Sequence, residues 1–237
     1  MKSAKTFEGV ECVTLDLDDT LWPIEPTISN AEKKLYDWFA QKYPKVTERY
    51  SFEEIAAKRS QLNLTREDIS HNVTELRHCA LMELADEFGY PIKFADDGLK
   101  LFRKFRNQVK PYPYSERLLT SLKHKYVLGA ITNGNAQLDQ IPLGKHFDFS
   151  VTAAQVGVSK PDPQIFIYAS KLANVRVENM LHIGDSPQTD VIGSLNAGYR
   201  AIWFNSERKS WPGGQNPTKV IHCLSELPKL LNVPEIE

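Results

Sequence analysis

The sequence predicts an α/β protein, a doubly wound parallel sheet with one helical segment inserted after its first strand. Two observations predict it. Short apolar runs without helical period, Cys12-Val13-Thr14-Leu15 and several more beyond residue 111, alternate with helical patterns in the manner of βαβ units. Between residues 27 and 109 the pattern is helical only. The chain of 237 residues is long enough for one core and an insertion.

Taken in order, the run Cys12 to Leu15 reads as a buried strand that delivers Asp16-Leu17-Asp18-Asp19-Thr20 to a cleft. Helices are then expected over 31–43, 51–62, 73–88 and 96–109. The third is the clearest, because Val73, Leu76, Ala80, Leu81, Leu84 and Phe88 share one face and Gly89 stops it, with Pro91 just beyond. In the fourth, Leu99, Phe102, Phe105 and Val109 form a similar stripe; both stripes read as bundle core. Pro111-Tyr112-Pro113 breaks this run. Strands are expected at 126–132, 147–151, 180–184 and 200–204. The helices between them are placed at 115–124, capped by Ser115, at 163–172, capped by Asp162 with Pro163 first, and at 189–197, stopped by Gly198. Trp211-Pro212-Gly213-Gly214 reads as an exposed loop before a short terminal helix. The expected domains are therefore a sheet core of 1–21 and 111–237, and a helical cap of 22–110.

Composition narrows the function classes. Lys+Arg 29 against Asp+Glu 30 gives a net charge of -1, so no basic face for nucleic acid is indicated. No apolar stretch is long enough to span a bilayer and no secretory leader is apparent, so a cytoplasmic protein is expected. Cys12, Cys79 and Cys223 are too scattered for a disulfide framework or a zinc site and read as small, partly buried apolar residues.

Parallel sheets bind ligands beyond the carboxyl ends of their strands, and the expected strand ends carry the chemistry. The first ends in Asp16 and Asp18. The second ends in Thr132-Asn133-Gly134, a hydroxyl and free N–H groups beside a glycine, suited to phosphate oxygens. The fourth ends in Gly184-Asp185-Ser186, with Asp190 following, and Lys160 lies in Ser159-Lys160-Pro161 before a helix. Crowded carboxylates need a divalent cation, a lysine or protonation. A phosphate monoester and a carboxylate nucleophile are both anions, so attack needs positive charge between them, and the leaving alkoxide needs an acid.

Asp16-x-Asp18-x-Thr20, Thr132-Asn133-Gly134, Lys160 in Ser-Lys-Pro-Asp-Pro, and Gly184-Asp185-Ser186 followed by Asp190 resemble the four motifs of the haloacid dehalogenase-like superfamily. The helical insertion resembles a C1 cap. The resemblance implies a Rossmann-like core and a phosphatase, with Asp16 as nucleophile and Asp18 as general acid and base. It further implies that Thr132, Asn133 and Gly134 hold the phosphoryl oxygens and that Lys160 balances charge. Mg²⁺ is implied on Asp16, Asp185 and the main-chain carbonyl of Asp18, with Asp190 just behind. Dehalogenases of the superfamily attack carbon and generally lack an acid at the Asp18 position. A phosphomutase would keep both aspartates, and a non-enzymatic phospho-aspartyl switch would place its aspartate on a later strand.

The implied substrate is a small-molecule phosphate ester. Ile131-Thr132-Asn133-Gly134-Asn135-Ala136-Gln137 is similar to bacterial phosphatases of the riboflavin pathway that act on the phosphoribitylamino-uracil intermediate or on FMN, and so is the stretch from His71 to Arg77. His71 and Arg77 are accordingly expected to read the leaving group from a cap hinged near Trp22-Pro23 and Pro111-Tyr112-Pro113. Another sugar phosphate or nucleotide is the alternative substrate. Oligomeric state is not legible in the sequence.

Overall fold

The structure, a computed structural model, describes residues 4–235. The outermost residues of the expected core, 1–3 and 236–237, lie outside that range. The chain divides into two compact units: one runs to Pro23 and resumes at Lys110, and the other is Ile24–Val109.

The first unit is built on a six-stranded parallel sheet of β1 (Cys12–Leu15), β2 (Val127–Thr132), β3 (Phe149–Thr152), β4 (Met180–Gly184), β5 (Arg200–Phe204) and β6 (Lys219–Ile221), in the order β3-β2-β1-β4-β5-β6. Every residue of β1 and β4 is buried, which is why these strands read as continuous apolar runs rather than alternating ones. Leu15 pairs with Ala130 on one side and Ile183 on the other, so the ends of β1, β2 and β4 come level. Glycine at 129 is required by the sheet face: a Cβ there would stand 2.2 Å from the Phe149 ring. The edge strand β6 has three residues and was not expected, being too short to show a period.

Two helix expectations of this unit are corrected. Helix Ser115–Lys123 has Tyr114, not Ser115, at its cap position. The Ser115 hydroxyl instead donates to the Leu21 carbonyl at 2.7 Å, tying this helix to the loop after β1. The helix expected over 189–197 begins earlier and in a wider form. Pro187–Ile192 is a π-helical turn, because Asp190 N–H and Val191 N–H both reach the Ser186 carbonyl, at 3.1 and 3.3 Å, and Gly193–Asn196 continues it as α-helix. Such wide turns recur at functional sites. Helix Pro163–Ala173 starts as expected, with the Asp162 carboxylate accepting from Gln164 N–H at 2.8 Å.

The second unit contains helices Ile24–Lys42, Pro44–Arg49, Phe52–Thr65, Val73–Phe88 and Lys93–Arg106. The first starts seven residues before the expected Ala31. Pro26 lies in its first turn, where a missing N–H costs nothing, and Thr27, Ala31, Leu35 and Phe39 then follow one another at four-residue spacing on the buried face. The last helix is shifted toward the N-terminus, so Phe94, Ala95, Gly98, Phe102 and Arg106 are its buried residues, with Leu99 and Phe105 packed only at the margin. Phe94 stacks on Phe39 with ring centroids 5.3 Å apart. Ser51 makes the reciprocal cap with Glu54 that a serine three residues before a glutamate predicts.

The cysteines are unpaired: Cys12 is buried and Cys79 half-buried, whereas Cys223 is exposed, contrary to the expectation for it. No described helix is long and apolar enough to cross a membrane.

Candidate active site

Beyond β1, the backbone N–H of Asp16 still donates to Ile183 O at 2.9 Å, so its carboxylate leaves the sheet at a fixed position, only 8% exposed. The chain then turns tightly. Leu17 O accepts from Thr20 and Leu21, at 3.3 and 2.8 Å, and Asp19 adopts the left-handed conformation with φ 60°. Asp19 N–H donates to Trp22 O at 2.7 Å, which brings Trp22 back over the turn, where its indole N–H donates to Asp18 Oδ1 at 2.8 Å.

Lys160 arrives from the loop before helix Pro163–Ala173. Its ammonium, 4% exposed as a residue, donates to Asp16 Oδ1 at 2.6 Å, Asp190 Oδ1 at 2.6 Å and Ile131 O at 2.9 Å. All three donors of the lysine are thus spent. Burial alone would discharge it, but the two carboxylates outweigh burial and hold it charged, above its ordinary range. Burial likewise raises Asp16 well above the usual carboxylate range, against the pull of Lys160 and with the push of Asp190. At Asp190 burial is overcome by Lys160 and His182, and that carboxyl is held below its ordinary value.

The strand end of β2 serves this lysine. Asn133 Oδ1 accepts from Lys160 N–H at 2.8 Å while Asn133 Nδ2 donates to Lys160 O at 2.9 Å, a two-point clamp on the lysine backbone. Asn133 was expected among the substrate-binding residues, and its side chain is occupied here. Thr132 is 2% exposed, and its hydroxyl oxygen accepts from Gly134 N–H at 2.9 Å, which leaves the hydroxyl proton for another acceptor.

The end of β4 carries the remaining acids. Gly184 has no side chain because a Cβ would fall 2.3 Å from the Asp190 carboxyl carbon. Asp190 Oδ2 accepts from Ser186 N–H at 3.0 Å, so both its oxygens have donors. Asp185 is raised to about 6 by burial, then by Asp190 and Asp19, although the Thr20 hydroxyl donates to it at 3.3 Å.

His71 and Arg77 belong to the helical unit. His71 is half-buried just before helix Val73–Phe88. Arg77 is 8% exposed, its guanidinium bonded to both oxygens of Glu32, at 3.2 and 2.8 Å, and lying 3.3 Å from the centre of the Phe102 ring. Expected as a reader of substrate, Arg77 is bound within the interior of its own unit.

Residues 10–198 match the haloacid dehalogenase-like hydrolase family. The chain belongs to that family. It is 30% identical over 239 residues, 98% of this chain and 100% of the relative, to 5-amino-6-(5-phospho-D-ribitylamino)uracil phosphatase YigB of Escherichia coli strain K12. Pyrimidine 5'-nucleotidase YjjG of the same strain is 35% identical over 127 residues, 51% of this chain and 56% of that protein. A solved structure, the 2-haloacid dehalogenase of Pseudomonas syringae pv. Tomato DC3000, has a TM-score of 0.88 at 36% identity, covering 94% of this chain and 98% of that one. The protein is a hydrolase of the haloacid dehalogenase-like family, and the two curated relatives above are phosphatases by name.

Members of the haloacid dehalogenase-like family generally use a divalent metal, and the acids here suit one. One oxygen from each of Asp16, Asp185 and Asp190 lies within 4.8 Å of the others. These are hard oxygen donors, of the kind Mg²⁺ takes. Lys160 offsets the charge of Asp16 and Asp190 directly, while burial first, and then neighbouring carboxylates, raise Asp16 and Asp185.

Two residues of the site were not anticipated. His182 on β4 is 1% exposed, with Nε2 3.2 Å from Asp190 Oδ1 and Nδ1 2.9 Å from the Thr14 hydroxyl of β1. Burial lowers the His182 pKa despite Asp190, so the ring is neutral near pH 7. A neutral ring facing a carboxylate carries its proton on Nε2, which leaves Nδ1 as an acceptor for the Thr14 hydroxyl, whose other acceptor is Leu181 O at 3.2 Å. The signal available in the sequence was a polar pair, Thr14 and His182, each in the middle of an otherwise apolar strand.

Proposed function

We propose that the protein is a Mg²⁺-dependent phosphomonoester hydrolase that acts on a small phosphorylated metabolite through an aspartyl phosphate on Asp16. The observation that carries this reading is the buried Lys160 bridging Asp16 and Asp190 beside a further carboxylate, Asp185. Hydrolysis at carbon with loss of halide needs neither a second carboxylic acid nor a metal, so this acid-rich edge supports phosphoryl transfer over dehalogenation.

Lys160 holds one oxygen of Asp16, and the other attacks phosphorus as the bond to the leaving oxygen breaks. Asp18 gives that oxygen its proton, then takes one from the water that attacks the aspartyl phosphate, which restores Asp16 and releases phosphate. Thr132 and the main chain around Asn133 hold the phosphoryl oxygens, with Gly134 N–H given to the Thr132 hydroxyl oxygen, whose proton is thereby turned outward. When bound, Mg²⁺, held by Asp16, Asp185 and the Asp18 carbonyl, supplies positive charge between the two anions.

For the substrate we take 5-amino-6-(5-phospho-D-ribitylamino)uracil first and FMN second, supported by the full-length similarity to YigB. Another sugar phosphate or nucleotide follows. Selection of the leaving group is assigned to the helical unit, with His71 as its candidate reader.

The test is phosphate release from a panel containing these compounds and p-nitrophenyl phosphate, with Mg²⁺ and with chelator. Asp16→Asn should reduce turnover to below about one thousandth, because an amide is a poor nucleophile and a neutral ligand. Robust turnover in that variant, or in excess chelator, rules the mechanism out.

A further inference from the structure

We infer that Asn133 is a positioning residue for the reaction: its side-chain amide holds the main chain of Lys160 against the end of β2, and so keeps the ammonium of that lysine on Asp16. The inference rests on the roles of Asp16 and Lys160 proposed above. The Asn133 side chain then acts through Lys160 and not on the substrate.

Lys160 is buried in the connection between helices Ala153–Val156 and Pro163–Ala173. Its main-chain N–H and C=O have no ladder to join there, and the next residue, Pro161, has no N–H to offer. Among the described residues, both groups find their partner in Asn133 alone. The N–H donates to Oδ1 at 2.8 Å and the C=O accepts from Nδ2 at 2.9 Å. A side-chain amide presents a donor and an acceptor side by side in one plane, which an ionised carboxylate, accepting only, does not.

The same strand end meets the lysine twice. Ile131 O accepts from the ammonium at 2.9 Å, and Asn133, two residues on, holds the lysine backbone. A lysine side chain is long and flexible, so its tip is well fixed only when both ends are held. Asp16 is referred to the same sheet by its N–H on Ile183 O at 2.9 Å. Nucleophile and ammonium therefore share one frame, and their 2.6 Å contact is set by the sheet rather than by the connection that carries Lys160. The sheet builds this clamp a second time. Asn205, the residue after β5, accepts from Lys209 N–H at 2.9 Å and donates to Lys209 O at 2.8 Å. The Lys209 ammonium, however, pairs with Glu207, and its side chain is 70% exposed. The second clamp thus separates the holding of a loop from a part in the chemistry.

The measured quantities are kcat and KM for p-nitrophenyl phosphate, and Tm, each in the parent and in Lys160→Met. Asn133→Ala should lower kcat roughly tenfold or more, a displaced catalytic group being enough for that, and leave KM within about threefold. In the Lys160→Met background the same change should cost less than about twofold in kcat while still lowering Tm, because the clamp then has no ammonium to place. Asn205→Ala should lower Tm and leave kcat within about twofold. Should Asn133→Ala fold poorly, Asn133→Gln keeps both polar groups and displaces Lys160 by the length of one methylene, and the same pattern is expected. No fall in kcat, a rise in KM in place of that fall, a kcat loss that persists in Lys160→Met, or an equal loss in Asn205→Ala would overturn the inference. If Lys160→Met itself is as active as the parent, the proposed mechanism fails first, and the assignment to Asn133 falls with it.

Discussion

In each unit one charged residue is shared by two partners of opposite sign, fully buried in the sheet unit and half-buried in the helical one, and the signs are reversed between them. In the sheet unit Lys160 lies between Asp16 and Asp190. In the helical unit Glu32 lies between Arg77 and Arg59. The sheet pins its acids at strand ends, where they cannot separate, and Asp185 adds to the excess, so negative charge remains to be met by a ligand. The arginines are long and delocalised. Arg77 spreads over the Phe102 ring, and the Arg59 side chain is 31% exposed and drains part of the excess to water. Burial still draws their pKa values down, to about 9 for Arg77 and about 10 for Arg59, where Arg77 adds to the effect. Held by strand ends and a turn, the acids around Lys160 cannot separate, whereas the long arginines around Glu32 can spread their charge.

The largest effects come from breaking each bridge. Lys160→Met should cut the rate roughly a hundred- to thousandfold for every substrate, with circular dichroism confirming the fold. Arg77→Met should instead cost about 3–5 kcal/mol of stability in chemical denaturation, since it removes a buried partner of Glu32, and should leave kcat for p-nitrophenyl phosphate within about twofold. Loss of activity in Arg77→Met without loss of stability would return Arg77 to the substrate.

An intermediate effect sharpens the account of excess negative charge. The Asp185 pKa is raised from 3.8 to about 6, so the folded state binds this proton more tightly than the unfolded state. Its contribution to stability is therefore present below about pH 4 and is lost as pH rises through about 6. A cation competes with the same proton, so the rise in Tm caused by Mg²⁺ should be small near pH 5 and complete above about pH 7. Thermal melts across this range, with and without Mg²⁺, measure both slopes, and Asp185→Asn should flatten both. A Mg²⁺ effect independent of pH would contradict the assignment.

The smallest effect concerns His182. Glutamine can place an N–H where Nε2 stands, so His182→Gln should keep kcat within about threefold, while His182→Leu loses roughly tenfold at unchanged KM. Equal losses in the two variants would reduce His182 to core filling.

Much of the site was legible because its chemistry is local. Asp16 and Asp18 follow a strand of four apolar-patterned residues, and Gly184-Asp185 ends another, so the acids could be placed at one edge without coordinates. The main chain around Asn133 was read as holding phosphoryl oxygens, and that reading said nothing of the side chain, whose amide clamps Lys160, a partner 27 residues away. Arg77 was read, with His71, as a reader of the leaving group, yet Glu32, 45 residues earlier, draws it inward. Both partnerships depend on packing between elements, which periodicity does not report.

By itself, the sequence determined the alternation of buried strands and helices, the site of the insertion, and which strand ends carry acid, hydroxyl and lysine. These follow from residue type and from the period of two or 3.6 that burial imposes along the chain. Only the tertiary structure decided which oxygen of which acid Lys160 touches, that His182 and Thr14 stand behind Asp190, and that Trp22 turns back onto Asp18. Those choices depend on the register of β1 against β4 and on a left-handed turn at Asp19, distances of a few ångströms between residues that sequence spacing leaves unconstrained.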